Sequence, residues 1–129
     1  MEKSTEAIKK YLDDRLWNNL APANMAKSIS IEAAELLEIF QWKNYTVEQI
    51  KENKELEEKV KKELGDIMIY CIEMAIHLNL DIEKVILEKL SHNEKKYPAE
   101  EIMKHKGEDY KNSFYIKRKM EYRDHSIEK

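Results

Sequence analysis

A chain of 129 residues with a formal charge of −3 and 38% charged residues has room for one domain with a core, and its balance of charges gives no electrostatic case for nucleic acid. Two Gly and two Pro leave little material for hairpin turns, whereas Ala, Leu, Glu, Lys and Met, all strong helix formers, dominate, so the expected class is all-α. The lone Cys71 excludes an internal disulfide and reads as a buried thiol; with no apolar signal region in "MEKSTEAIKKYLDDR" and no membrane-spanning run, a cytoplasmic protein is expected.

A first helix is expected from Ser4 or Thr5, either of which can cap it, past Ile8, Tyr11, Leu12 and Trp17 to just before "APAN". Pro22 suits the start of a second helix over about 23–43, which "NYT" breaks. A short, highly charged amphipathic stretch, "TVEQIKENKELEEKV", leads into a long third helix whose apolar part is "ELGDIMIYCIEMAIHL". "NLD" reads as a turn with Asp81 as a cap, and "DIEKVILEKLSHNEKKY" as a fourth helix stopped by Pro98. Four helices with short connections predict a bundle over residues 1–98. The second and third are apolar on so many sides that a homodimer or homotetramer would serve to cover them. Residues 99–129 keep no apolar period and are expected to form a charged, tyrosine-containing C-terminal extension.

Within the apolar second helix, Leu36 and Ile39 fall close to the stripe of Glu32, so the acids of "SISIEAAELLEIFQW" have apolar neighbours. Glu32 and Glu35 are spaced by three, and so are Glu63 and Asp66. That spacing brings two side chains within about 60° on a helix, close enough to share a cation. A single such pair is commonly a solvated face. Four acids on two apolar helices repel one another and are costly to desolvate unless something positive lies between them. The hard, all-oxygen set suits Mg²⁺ or Mn²⁺ better than zinc, and no Glu-x-x-His of the di-iron bundles occurs. His77, four residues after Glu73, reads as half of a Glu–His pair deeper in the bundle. Magnesium held by carboxylates takes further oxygens from substrate phosphates, which points to a nucleotide.

The stretches "DDRLW" at 13–17, "PANMAKSISIEAAELLEIFQWK" at 22–43, "ELGDIMIY" at 63–70 and "LEKLSHNEKKYP" at 87–98 together resemble the all-α nucleoside triphosphate pyrophosphohydrolases of the MazG type, and among these the dCTP pyrophosphatase branch. The resemblance implies a four-helix bundle assembled as a homo-oligomer. It also implies Mg²⁺-dependent hydrolysis of a nucleoside triphosphate, dCTP-like or modified, to monophosphate and pyrophosphate in nucleotide-pool cleaning.

By the same resemblance Glu32, Glu35, Glu63 and Asp66 are magnesium ligands, and Glu38 orients the attacking water or is a plain surface acid. Lys89 and Asn93 meet phosphate and sugar or base, Lys96 meets phosphate, Tyr70 meets the sugar, and Trp17 and Trp42 sandwich a pyrimidine. Arg15 reaches a phosphate or pairs with Asp13 or Asp14. Two departures bear on base choice: Glu73 stands where an apolar residue is expected, and "LAPAN" shortens the loop after Trp17. The alternatives are a non-catalytic regulator that binds nucleotide or protein on the same bundle, and a nucleic-acid binder using "YIKRKMEYR". Both leave the four acids without a purpose.

Overall fold

The computed structural model describes residues 1–107 and 113–124, and all regular structure among them is helical. Seven helices follow in order among these residues: α1 (Glu2–Asp13), α2 (Pro22–Ile39), α3 (Val47–Glu52), α4 (Lys54–His77), α5 (Ile82–Lys96), α6 (Ala99–Lys104) and α7 (Phe114–Asp124). They fall into two compact units, Met1–Ile82 and the chain from Glu83 onward. No helix among the described residues is long and apolar enough to cross a membrane.

The spine of the first unit is α4, which packs against α2, α1 and α3. Its core holds Leu12 of α1, Met25 of α2, and Leu56, Ile72 and Ala75 of α4, the side chains that helical spacing gathers on the facing stripes. Cys71 is half-buried rather than sealed in that core.

Helix ends differ from the sequence expectation where local hydrogen bonding decides them. Helix α1 begins at Glu2, ahead of Ser4 and Thr5, and the Thr5 hydroxyl donates to the Met1 carbonyl at 3.0 Å instead of capping. Helix α2 stops at Ile39, four residues before Lys43, because the Phe40 and Gln41 N–H groups tighten onto the Leu37 and Glu38 carbonyls at 3.0 and 3.1 Å. The charged stretch that follows is two elements. Thr46 and Gln49 exchange hydrogen bonds at 3.0 and 3.2 Å to start α3, a capping box. Asn53 then ends α3 and caps α4, its side-chain oxygen accepting from the Leu56 N–H at 3.1 Å.

Two helices close on a left-handed residue that is not glycine. After α4, Asn79 (φ 52) takes this role, with Leu80 N–H on the Ala75 carbonyl at 2.8 Å and Asn79 N–H on the Ile76 carbonyl at 3.1 Å, a Schellman closure. After α1, Leu16 (φ 57) does the same, and Trp17 N–H reaches the Leu12 carbonyl at 3.1 Å. A leucine is strained in this conformation by about 1 kcal/mol, and with 88% of its surface exposed it gains no packing in return. The turn delivers Trp17 edge-on to Tyr11, ring centroids 5.9 Å apart. Leu16→Gly should therefore raise stability by about 1 kcal/mol, read as a higher denaturant midpoint at unchanged slope. A lower midpoint would mean that the leucine side chain holds the turn.

Helix α5 carries the chain into the second unit, starting directly after Asp81 and ending before Pro98. Neither α5 nor α6 buries a residue. The segment after Pro98, without an apolar period, nonetheless forms α6 and α7, held by polar and aromatic contacts that hydrophobic periodicity does not report. His105 stacks on Phe114 and Tyr97 on Tyr115, each pair at 4.9 Å, and Arg118 Nε donates to the Lys96 carbonyl at 3.1 Å. Residues 108–112 and 125–129 of the expected extension lie outside the described residues.

Candidate functional site

Helices α2 and α4 pack side by side, and one acidic turn of each meets the other. Glu32 of α2 and Glu63 and Asp66 of α4 each offer a carboxylate oxygen, and these oxygens all lie within 4.8 Å of one another. Glu63 and Asp66 are aligned by helical spacing alone, whereas Glu32 is brought to them by packing. Glu63 is buried, with Oε1 3.6 Å from Lys62 Nζ and Oε2 without a hydrogen-bond partner. Loss of water, followed by the charges of Glu35, Asp66 and Glu63, raises the Glu32 carboxyl above its ordinary value, and Lys62 draws it back. Hard oxygen donors crowded to this degree, one of them a buried orphan, fit a divalent cation. Glu35 stands exposed on the next turn of α2, outside the close trio, and acts on it through its charge. Glu38, a further turn along, is also exposed.

The raised Glu32 carboxyl has a measurable sign. In metal-free protein the folded chain holds this proton more readily than the unfolded chain, so stability is lost as pH rises through the window just above the ordinary carboxylate range. In chelator, the melting temperature should rise on going from about pH 7 to about pH 5, and rise less in Glu32→Gln. Glu73 is raised too, by burial, but contributes equally to both proteins, so their difference isolates Glu32. A wild-type slope no steeper than that of the variant would contradict the crowding.

Beside the acids, within the first unit, opens a cleft of about 590 Å³. One wall is α1 and its closing turn, with Tyr11, Trp17 and Leu20; the other is a single face of α4, with Asp66, Tyr70 and Glu73. Of the two tryptophans singled out in the sequence, only Trp17 reaches the cleft. Trp42 lies beyond the early end of α2 and is 90% exposed. Arg15 pairs with neither acidic neighbour: its guanidinium lies 3.8 Å above the Tyr11 ring and donates to the Tyr11 carbonyl at 3.1 Å. Asp14 is engaged by Lys10 at 2.6 Å and Asp13 by Asn18 at 2.9 Å.

Glu73 is buried, burial raises its carboxyl, and its Oε1 has no partner. The expected Glu–His pair runs through the backbone. His77 Nδ1 lies 2.9 Å from the Glu73 carbonyl, and because a carbonyl only accepts, Nδ1 carries the hydrogen.

In the second unit Lys89 and Lys96 line a cavity of about 320 Å³ with His92, Lys119, Tyr122 and Arg123, while Asn93 is not part of its wall. Sequence reasoning missed Tyr11 and Leu20 in the cleft, and it offered the α7 residues here only through the nucleic-acid alternative built on "YIKRKMEYR". The available signals were Tyr11 one turn before Arg15, and Lys119 and Arg123 four apart in a segment set aside for lack of apolar period.

The profile of the MazG-like family matches residues 27–111, a span that includes Glu32, Glu35, Glu63 and Asp66. The chain belongs to the MazG-like family. The resemblance read from the acidic pairs is thereby borne out at the level of family. The dCTP pyrophosphatase 1 of Rattus norvegicus is 30% identical over 95 residues, 69% of this chain and 54% of the rat protein. That of Homo sapiens is 29% identical over 92 residues, with the same shares. The chain thus spans about half the length of these relatives. A solved pyrophosphatase structure from Archaeoglobus fulgidus DSM 4304 is similar with a TM-score of 0.65 and 34% identity, covering 76% of this chain and 92% of that one.

Proposed function

We propose that this protein hydrolyses nucleoside triphosphates between the α and β phosphates, giving monophosphate and pyrophosphate, with Mg²⁺ or Mn²⁺ as cofactor and dCTP-like or modified deoxynucleotides as substrates. Nucleotide-pool cleaning is the corresponding cellular role. The observation that carries this reading is the trio Glu32, Glu63 and Asp66, within 4.8 Å of one another, with Asp66 also forming part of an aromatic cleft of nucleotide size. The names of the rat, human and Archaeoglobus relatives support it.

Glu32, Glu63 and Asp66, with Glu35 beside them, would hold the cation. When bound, Mg²⁺ supplies charge neutralisation for the triphosphate and Lewis-acid polarisation of its reacting phosphoryl group. Glu63 is buried, so this donor needs little reorganisation to meet the cation. Glu38 orients the attacking water. Trp17 stacks on the base, Tyr70 contacts the sugar and Arg15 meets a phosphate.

The same reading completes a four-helix bundle by self-association, through exposed apolar residues such as Leu64 and Met68 of α4 and Leu87 and Leu90 of α5. Light scattering should return the mass of two or four chains; a monomer at working concentration would exclude this part. For the reaction itself, each common nucleoside triphosphate is incubated with Mg²⁺ and pyrophosphate is assayed separately from phosphate. Pyrophosphate with monophosphate, fastest from dCTP or a modified deoxypyrimidine nucleotide, is expected. Phosphate release, or no turnover by folded protein, would sink the proposal.

A further inference from the structure

Helices α5 and α7 each carry a basic stripe along one face. Lys89, His92 and Lys96 stand at i, i+3 and i+7 of α5, and Lys119, Tyr122 and Arg123 at i, i+3 and i+4 of α7. The two stripes line one cavity of about 320 Å³ whose wall contains no acid, and all six residues belong to the second unit. Two contacts draw the helices together: Arg118 Nε donates to the Lys96 carbonyl at 3.1 Å, and the His92 and Tyr122 rings meet edge-on at 5.9 Å. That docking works against charge repulsion, because it gathers Lys89, Lys96, Lys119 and Arg123 around one space. Elsewhere the chain pairs cations locally, as in Lys84 with Glu88 and Arg118 with Glu121. Among the described residues, the four cations of the cavity form no ion pair. An anion bound there supplies the missing opposite charge.

We propose that this cavity binds a compact polyphosphate anion, free pyrophosphate or the phosphate tail of a nucleotide, held by Lys89, Lys96, Lys119 and Arg123 without a divalent cation. Its volume lies at the small end of ligand cavities, about 300 Å³ and upward. Arg123 offers a planar fork that matches phosphoryl oxygens in pairs, and the lysines add point charges. The Tyr122 ring is engaged by Lys96 Nζ and the Arg118 guanidinium, 5.1 and 5.3 Å from its centroid. It therefore meets cations rather than offering a stacking surface to a base, the contact by which single-stranded nucleic acid is held. Helix α7 lies beyond the span matched by the family profile, so half of this site is no part of the family's pattern. None of Glu32, Glu63 and Asp66 lines it, and it stands independently of the reaction proposed above.

The test is calorimetric titration of the full chain with sodium pyrophosphate, in chelator at low salt, with helix content checked by circular dichroism. The proteins compared are wild type, Lys119→Gln combined with Arg123→Gln, Lys89→Gln, and Glu63→Gln. Wild type should bind pyrophosphate, and more weakly as salt rises. Loss of the two α7 charges should weaken binding by about tenfold or more. Lys89→Gln should weaken it as well, and decides the matter if the α7 substitutions loosen that helix; Glu63→Gln should bind as wild type does. Displacement of pyrophosphate by dCTP would name the nucleotide tail as the source of the anion, and no displacement would name free pyrophosphate; either upholds the site. No binding in chelator, binding untouched by the α5 and α7 substitutions, loss of binding in Glu63→Gln, or tighter binding of an oligothymidylate than of pyrophosphate overturns it. Because neither metal nor turnover enters the measurement, failure of this site and failure of the proposed hydrolysis read out separately.

Discussion

Glu63→Gln should lower pyrophosphate release by about a thousandfold or more while leaving the protein folded. The carboxyl is buried, and its Oε2 lacks a partner within the chain, so its natural complement is a cation bound between α2 and α4. The amide preserves shape but replaces a charged acceptor with a neutral group, one arm of which donates. It also removes one of the charges crowding Glu32. The metal-free variant should therefore melt no lower than metal-free wild type, while the stabilisation that Mg²⁺ confers on the wild type should vanish. Turnover and the melting temperature with and without Mg²⁺ read the two effects separately. Wild-type turnover would take Glu63 out of the site. A normal Mg²⁺ shift with lost turnover would move its role from holding the cation to handling the substrate.

Leu12→Ala should cost about 3 kcal/mol of stability. Leu12 is 2% exposed and lies in the core of the first unit, so truncation loses apolar burial and leaves a cavity that rigid helix packing only partly closes. Its carbonyl also accepts the N–H groups of Arg15 and Trp17, each at 3.1 Å, so the residue anchors the turn that carries one wall of the cleft. The loss should appear as a lower urea midpoint together with weaker nucleotide binding. A change below about 1 kcal/mol would mean that α1 is not firmly docked on α4.

The sequence by itself determined the helical class, the four principal helices α1, α2, α4 and α5, and the spacing of the two acidic pairs. These depend on features read within a few residues: helix formers, scarce Gly and Pro, and a 3.6-residue period that fixes which neighbours share a face. Turn chemistry was also in the sequence, at Thr46 and Gln49, but a run of charged residues obscured the break at Asn53.

Packing decided the rest. Periodicity made Glu32 and Glu35 equivalent; the rotation of α2 against α4 brings Glu32 into the trio and leaves Glu35 on the exposed side. Trp17 and Trp42 looked like a matched pair until a strained left-handed turn at Leu16 carried one into the cleft and the early end of α2 left the other outside. Glu73 read as a departure from an apolar pattern, and only the approach of α1 to α4 makes it a buried carboxyl lining a cavity. Helices α6 and α7 went unread because their contacts are rings and guanidinium groups meeting across the chain, which no local period encodes. Spacing along one helix is set by backbone geometry and is written locally; contacts between helices depend on docking angles and burial, which the whole chain sets together.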